Sequence, residues 1–186
     1  MVFEMGAFSF SDNMSGWLGA RELAAHQITI NVASVSYMMA SGIAAAATIR
    51  VGNQKGLRNF RAMRIAGNSS FMMGVLFMIL SGLLMIAGKN FIPSLYLDDP
   101  LVIELAATLL VIAALFQISD GVQVVGLGVL RGLEDVRIPG LISLIAYWVI
   151  GLPVGYILCF KLDFGVHGVW AGLLVGLCVA AILLFW

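Results

Sequence analysis

Two carboxyl groups lie within long apolar stretches of this sequence. Glu4 precedes Gly16, the end of the first apolar segment, by 12 residues, and Asp120 precedes Leu130, the end of another, by 10. At about 1.5 Å per helical residue, both acids would lie about 15–18 Å from those helix ends. An acidic side chain at the centre of a bilayer costs about 3 kcal/mol on insertion scales. Residues that are costly to place there are the leading candidates for function.

Two interpretations of these acids are physically sound. Each carboxyl group could simply be protonated and hydrogen-bonded inside a helix bundle. Alternatively, Glu4 and Asp120 bind a coupling cation, either H⁺ or Na⁺, and release it during a cycle. Exchange of that cation would convert an ion gradient into a conformational bias. Neither segment contains a basic residue that would neutralise its acid, and we expect the functional interpretation to hold.

Neutral polar residues recur at helical spacing near the acids and on two further segments. They are Gln27, Asn31, Ser34, Asn68, Gln117 and Gln123. Polar stripes in membrane helices can serve only as interhelical hydrogen bonds, worth about 0.6 kcal/mol each. Because these stripes occur on several helices together with acids, we expect their side chains to line one water-accessible cavity.

The composition indicates whether the surroundings of these helices are water or lipid. The sequence is 61% hydrophobic and 11% charged, with a mean hydropathy of +1.03, whereas soluble domains carry about 25% charged residues. So much apolar surface predicts an all-α integral membrane protein in a lipid bilayer. The net charge of zero gives no electrostatic reason to expect nucleic acid as a partner.

The chain 1–186 is expected to form a single lobe of six transmembrane helices. A bilayer core needs about 20 helical residues, and five segments reach that length. They run approximately over 24–49, 65–88, 101–130, 138–160 and 166–186. A sixth segment, 1–16, is apolar but too short to cross completely, and it resembles a span whose beginning is missing. We therefore expect a fragment of a longer protein rather than a self-sufficient half.

Loop charges predict the orientation. Seven basic residues fall in one alternating set of loops and three, Arg21, Lys89 and Lys161, fall in the other. The positive-inside rule places the seven-residue side in the cytoplasm. The chain would then lie in the cytoplasmic (inner) membrane with its C-terminus inside.

Pro153 interrupts the span predicted over 138–160. Proline removes a helical hydrogen bond and so predicts a bend. In a transporter this bend could act as a hinge, and in any membrane bundle it could equally be static.

Six runs of residues resemble the multidrug and toxic compound extrusion (MATE) transporters, in order along essentially the whole chain. They are WLG at 17–19, LAAHQ at 23–27, AAATIRVG at 45–52, LFQISDGVQVV at 115–125, GVLRGLED at 128–135 and YWVIGLP at 147–153. The resemblance implies a protein of two six-helix lobes, of which this chain would be the C-terminal one. It also implies exchange of H⁺ or Na⁺ for organic cations by alternating access.

The resemblance further implies a cation site made by carboxylates on helices seven and ten of the family, which match Glu4 and Asp120. In some relatives a tyrosine lies one turn before the second carboxylate. Phe116 occupies that position here and supplies no oxygen ligand. This departure weakens the case for Na⁺ and leaves H⁺ open.

Three functions remain to be weighed. The first is a cation-coupled antiporter that extrudes small organic cations and acts with a missing N-terminal lobe or a second chain. The alternatives are a flippase for a lipid-linked precursor and an inactive membrane fragment. A pyrophosphate cargo would favour arginine within the spans, where none is found. The sequence has no nucleotide-binding loop, metal-ligand cluster or nucleophile–base motif, so we expect neither an enzyme nor a cofactor.

Overall fold

The computed structural model describes residues 2–135 and 137–185, and within them the chain contains no strand. The helices are α1 (Val2–Leu18), α2 (Ala20–Gly56), α3 (Phe60–Ala87), the short α4 (Phe91–Ser94), α5 (Pro100–Gly132), α6 (Arg137–Lys161) and α7 (Gly165–Phe185). The predicted all-α class is confirmed.

Five of these helices, α2, α3, α5, α6 and α7, are long and apolar enough to cross a membrane, and α1 adds a shorter helix of 17 residues. Several helices extend past the predicted spans. α2 has 37 residues, whereas the apolar stretch predicted over 24–49 is shorter. The difference has a physical cause. The apolar stretch ends where side chains become polar, but the backbone hydrogen bonds of the helix continue beyond that point.

Local sequence explains where the helices begin. Gly19 separates α1 from α2 with φ +145°, a conformation that L side chains rarely adopt. Asn59 caps α3 by accepting a hydrogen bond from the Ala62 N–H at 3.1 Å. Asp99 caps α5 by accepting one from the Leu101 N–H at 3.0 Å. Such caps satisfy N–H groups that have no partner within the helix.

α5 is the central helix, and it packs against α2, α3 and α7. A glycine makes the closest of these approaches possible: a Cβ at Gly128 would lie 2.5 Å from the carbonyl oxygen of Ala44 on α2. At the same crossing, the Thr48 hydroxyl donates to the Gly128 carbonyl oxygen at 2.7 Å. These contacts fix α5 in the interior, and Asp120 is buried as a result.

α6 is irregular around Pro153. π-helical turns over Leu144–Gly151 and Ile157–Lys161 flank a short α-helical segment that contains the proline. Wider turns of this kind accommodate a residue that cannot donate a backbone hydrogen bond, and they are frequent at functional sites. The role of Pro153 as a hinge stays a prediction.

Glycines bring α6 and α7 into backbone contact. A Cβ at Gly172 would overlap the backbone of Gly155 and lie 2.7 Å from the Gly151 carbonyl oxygen. A Cβ at Gly176 would lie 2.9 Å from the Ala146 carbonyl oxygen. Small residues at four-residue spacing allow membrane helices to associate in this way.

We predict that Gly172→Ala destabilises the chain, because overpacking at a close contact typically costs about 1–3 kcal/mol. Thermal unfolding in detergent micelles measures the effect. The matched control is Gly42→Ala on α2, where a Cβ would meet no atom within 4 Å. Equal melting temperatures for the two variants would contradict the close α6–α7 crossing.

Candidate functional site

A pocket of about 460 Å³ lies between α1, α2 and α5. This volume falls in the usual range for small-molecule sites, about 300–1,000 Å³. Its lining residues are Glu4, Met5, Phe8, Ser9, Asp12, Ile30, Ala33, Ser34, Tyr37, Phe116 and Asp120. Both acids singled out in the sequence therefore line the same pocket.

Glu4 and Asp120 are almost fully buried, with 5% and 4% of their surface exposed. They come from α1 and α5, and they lie close enough for their charges to interact. Among the residues that the structure describes, none forms a hydrogen bond with the Asp120 side chain. Two buried carboxyl groups that face one pocket favour binding of a single cation between them, because their negative charges repel each other when both are ionised.

A hydrogen-bond chain holds Glu4. The Gln123 amide nitrogen, Nε2, donates to Glu4 Oε1 at 3.0 Å, and the Tyr147 hydroxyl donates to Gln123 Oε1 at 2.9 Å. The amide oxygen of glutamine only accepts and its nitrogen only donates. The tyrosine therefore fixes the orientation of the Gln123 amide and turns its N–H groups towards Glu4.

Three further ionisable groups act electrostatically on the acid pair. Tyr37 on α2 and Tyr147 on α6 are near it, and the exposed Arg131 guanidinium at the end of α5 acts on Glu4 from a distance. Tyr147 is fully buried. The helices α2 and α6 thus each bring a tyrosine to the pair.

A row of aromatic rings connects the Glu4 end of the pocket to its other end. The rings follow the order Tyr147, Phe8, Phe116, Trp170 and His26. The distances between the centroids of successive rings are 6.2, 6.2, 5.9 and 5.7 Å. Several of these pairs meet edge to face, an arrangement that aromatic quadrupoles favour. Phe116 is a member of this row.

The polar residues predicted to line one cavity separate into two groups. Ser34 lines the pocket, Gln123 contacts Glu4, and Gln27 donates to Asp12 Oδ1 at 3.1 Å. The other three residues lie apart from the pocket.

Local geometry explains the position of those three residues. Asn31 is exposed and donates to the Gln27 carbonyl oxygen one turn earlier at 2.8 Å, a local bond that competes with interhelical ones. Gln117 is fully buried and donates to the Met85 sulfur at 3.6 Å, and its Oε1 has no protein partner in the described chain. Asn68 is exposed on α3. Their assignment to the cavity stays a prediction.

Sequence reasoning missed a second polar group, made by Asp12, His26 and Trp170. His26 Nε2 lies 2.8 Å from Asp12 Oδ1, and the Trp170 indole N–H donates to His26 Nδ1 at 3.1 Å. A signal was available, because Asp12 and His26 lie seven residues before and after Gly19. An antiparallel helix pair that turns at this glycine brings two such positions to the same level.

Among the described residues, no group of three or more histidine, cysteine, aspartate or glutamate side chains could hold a metal ion. The side chains that present oxygen atoms to the pocket are Glu4, Ser9, Asp12, Ser34, Tyr37 and Asp120.

Comparison with protein families gives one match over most of the chain: the family model described as MatE matches residues 1–157. A multidrug resistance protein NorM from Burkholderia vietnamiensis is 50% identical over 176 residues, which cover 92% of this chain and 38% of that protein. A probable multidrug resistance protein NorM from Brucella suis is 43% identical over 188 residues, covering 98% and 40%. The chain thus spans about two fifths of the length of these curated relatives.

A solved structure has the same fold. The eukaryotic MATE transporter AtDTX14 superimposes with a TM-score of 0.92 at 27% identity, over 98% of this chain and 41% of that one. The predicted fold, a helical membrane lobe like those of MATE transporters, is confirmed.

We predict that Tyr147→Phe destabilises the chain, because it leaves Gln123 Oε1 buried without its donor, at a typical cost of about 1–3 kcal/mol. Tyr156→Phe is the matched control, since Tyr156 is exposed on the same helix. Thermal unfolding in detergent compares the two. An unchanged melting temperature for Tyr147→Phe would mean that this hydroxyl is not required by the Glu4 chain.

Proposed function

Because this chain belongs to the MatE family, whose members are transporters rather than enzymes, we propose that it supplies the C-terminal half of a cation-coupled antiporter that extrudes organic cations. It is a multi-pass membrane protein, with five helices of membrane-spanning length. The matched relatives are more than twice as long, so the proposed cycle includes a partner lobe, either an N-terminal segment or a second chain.

The observation that carries this proposal is the environment of Asp120. Its carboxyl group is 4% exposed, lines the pocket next to Glu4, and has no hydrogen-bond partner among the described residues. A buried charge without a partner costs several kcal/mol. The Asp120 carboxyl group therefore needs a bound cation. A site that needs a cation in every conformation of the transporter can exchange one cation for another.

Exchange at this site would couple an ion gradient to transport. An ion that binds one conformation of the two lobes more tightly than the other shifts the equilibrium between the two conformations. A cargo that binds the other conformation more tightly shifts this equilibrium in the opposite direction. Seven basic residues lie in one alternating set of loops and three in the other, which favours the cytoplasmic membrane and a cytoplasmic C-terminus.

Phe116 bears on the identity of the ion. Na⁺ is a hard cation that prefers several oxygen ligands, and Phe116 lines the pocket without offering one. A proton needs only one carboxyl group. The lining therefore favours H⁺, with Na⁺ as the alternative that the assay below separates.

We predict that Asp120→Asn abolishes gradient-driven efflux and that Glu4→Gln weakens its ion coupling, because each removes one of the two charges that a cation would neutralise. The assay uses a chimaera in which this chain replaces the matching segment of the Burkholderia vietnamiensis relative. Ethidium efflux from proteoliposomes is measured with H⁺ and Na⁺ gradients imposed separately.

The control is Asp163→Asn, which removes an exposed carboxylate between α6 and α7 and should leave efflux unchanged. Full efflux by Asp120→Asn would exclude that carboxylate from coupling. A chimaera that is folded but inactive under both gradients would instead favour the inactive-fragment alternative.

Pro153 is the proposed hinge in this cycle, since π-helical turns flank it on both sides. Pro153→Ala restores a backbone donor and should make α6 more regular. We expect the maximal rate of ethidium efflux to fall while its half-saturation concentration stays the same. Pro100→Ala, at the first turn of α5, is the control. An unchanged maximal rate would make the bend static.

A further inference from the structure

The strongest unexplained feature of the pocket is its third carboxyl group, that of Asp12. It takes no part in the Glu4–Asp120 pair, because it lies eight residues after Glu4 on the same helix, or about 12 Å along the axis. Its side chain is 42% exposed and lines the same pocket. The pocket thus has an acidic group at each end.

The contacts of His26 determine which nitrogen carries its proton. An indole N–H can only donate, so His26 Nδ1, which faces the Trp170 Nε1–H at 3.1 Å, must accept. In the neutral ring the proton is then on Nε2, which donates to Asp12 Oδ1 at 2.8 Å. A doubly protonated ring would lose the Trp170 bond, because Nδ1 could no longer accept it. That loss would be costly, because His26 is fully buried.

Two neutral donors orient the Asp12 carboxylate. The His26 Nε2–H and the Gln27 amide, at 3.1 Å, both donate to Oδ1, and donated hydrogen bonds stabilise a charged carboxylate. No basic side chain forms an ion pair with it among the described residues, where the only partner within 4.0 Å is the neutral His26. A partly exposed carboxylate that is oriented but not neutralised is suited to bind a cation.

We propose that Asp12 binds the positive charge of the cargo, at the end of the pocket opposite the coupling ion, and that His26 and Trp170 are positioning residues for it. This inference rests on the proposed function for the nature of the cargo. The expected ligand is a monovalent organic cation with aromatic rings, since Phe8 and Phe116 line the pocket between the two acidic ends and their faces attract cations.

The separation of the two ends has a consequence for coupling. Two positive charges about 12 Å apart, in a medium of effective dielectric constant about 20, repel each other enough to weaken binding by about tenfold. Occupancy of Glu4 and Asp120 by an ion would therefore disfavour the cargo at Asp12 even without direct competition for one carboxylate.

The test compares a charged and an uncharged ligand that share one fused aromatic ring system. Ethidium and its neutral parent ring, phenanthridine, are titrated against the full chain in lipid nanodiscs. We expect Asp12→Asn to weaken ethidium by about tenfold and to leave phenanthridine unchanged. Asn retains the Oδ1 acceptor, so the bonds from His26 and Gln27 can persist. Asp163→Asn should alter neither ligand.

A second variant addresses the positioning residues. Trp170→Phe keeps the ring but removes the N–H that fixes the His26 tautomer, and it should weaken ethidium by about threefold with phenanthridine again unchanged. Equal weakening of both ligands by either variant would make the group merely structural and overturn its assigned role.

A third measurement does not depend on altering Asp12. Ser9→Cys places a thiol in the pocket lining, and ethidium should slow its modification by a charged thiol reagent. The parent chain, with Cys159 and Cys178, gives the background rate. Absence of protection would overturn the proposal.

Failure of the proposed function gives a different pattern. If Asp12 is needed for ethidium binding but the chimaera shows no gradient-driven efflux, the Asp12 site stands and the antiport proposal fails. If efflux persists and Asp12→Asn binds ethidium as tightly as the parent chain does, the antiport proposal stands and the Asp12 site fails.

Discussion

The energetic cost of a charge in hydrocarbon is the constraint on which the rest of this structure depends. Glu4 and Asp120 are tolerable only because the bundle turns them away from lipid and towards a pocket lined by other helices. That requirement places α5 at the centre, where glycines such as Gly128 allow neighbouring backbones to approach closely. The packing of the helices and the position of the acids are two results of the same constraint.

α1 carries the acids of both ends of the pocket, although it is the shortest of the long helices. Glu4 is held through Gln123, and Asp12 is held through His26. In each case a neutral donor, oriented by a buried aromatic residue, contacts the carboxylate. Tyr147 orients the donor at one end and Trp170 orients the donor at the other. At the Asp12 end the donors are neutral, and the carboxylate stays available to a cation.

The sequence was sufficient to identify the fold class and the central acids, because insertion cost and apolar length are properties of individual segments. It was less informative about the surrounding polar residues. Asn68 and Gln117 carry the same carboxamide group as Gln123, yet of these three only Gln123 contacts an acid. Helical spacing assigns a face to a residue but leaves open which neighbouring helix that face meets. Asp12 and His26 were missed for a related reason, because they come together only through the turn at Gly19.

Tyr147 lies within the π-helical segment Leu144–Gly151, which ends two residues before Pro153. A π-turn differs from an α-turn by one residue per hydrogen-bonded ring, and a change of one residue in helical register rotates a side chain by about 100°. Relaxing this segment to a regular α-helix would swing the phenol away from Gln123, and the amide could then turn over and present its oxygen to Glu4. A carboxylate repels that oxygen, whereas a protonated carboxyl group donates to it. A change in the winding of α6 would therefore change the hydrogen bond that Glu4 receives from Gln123.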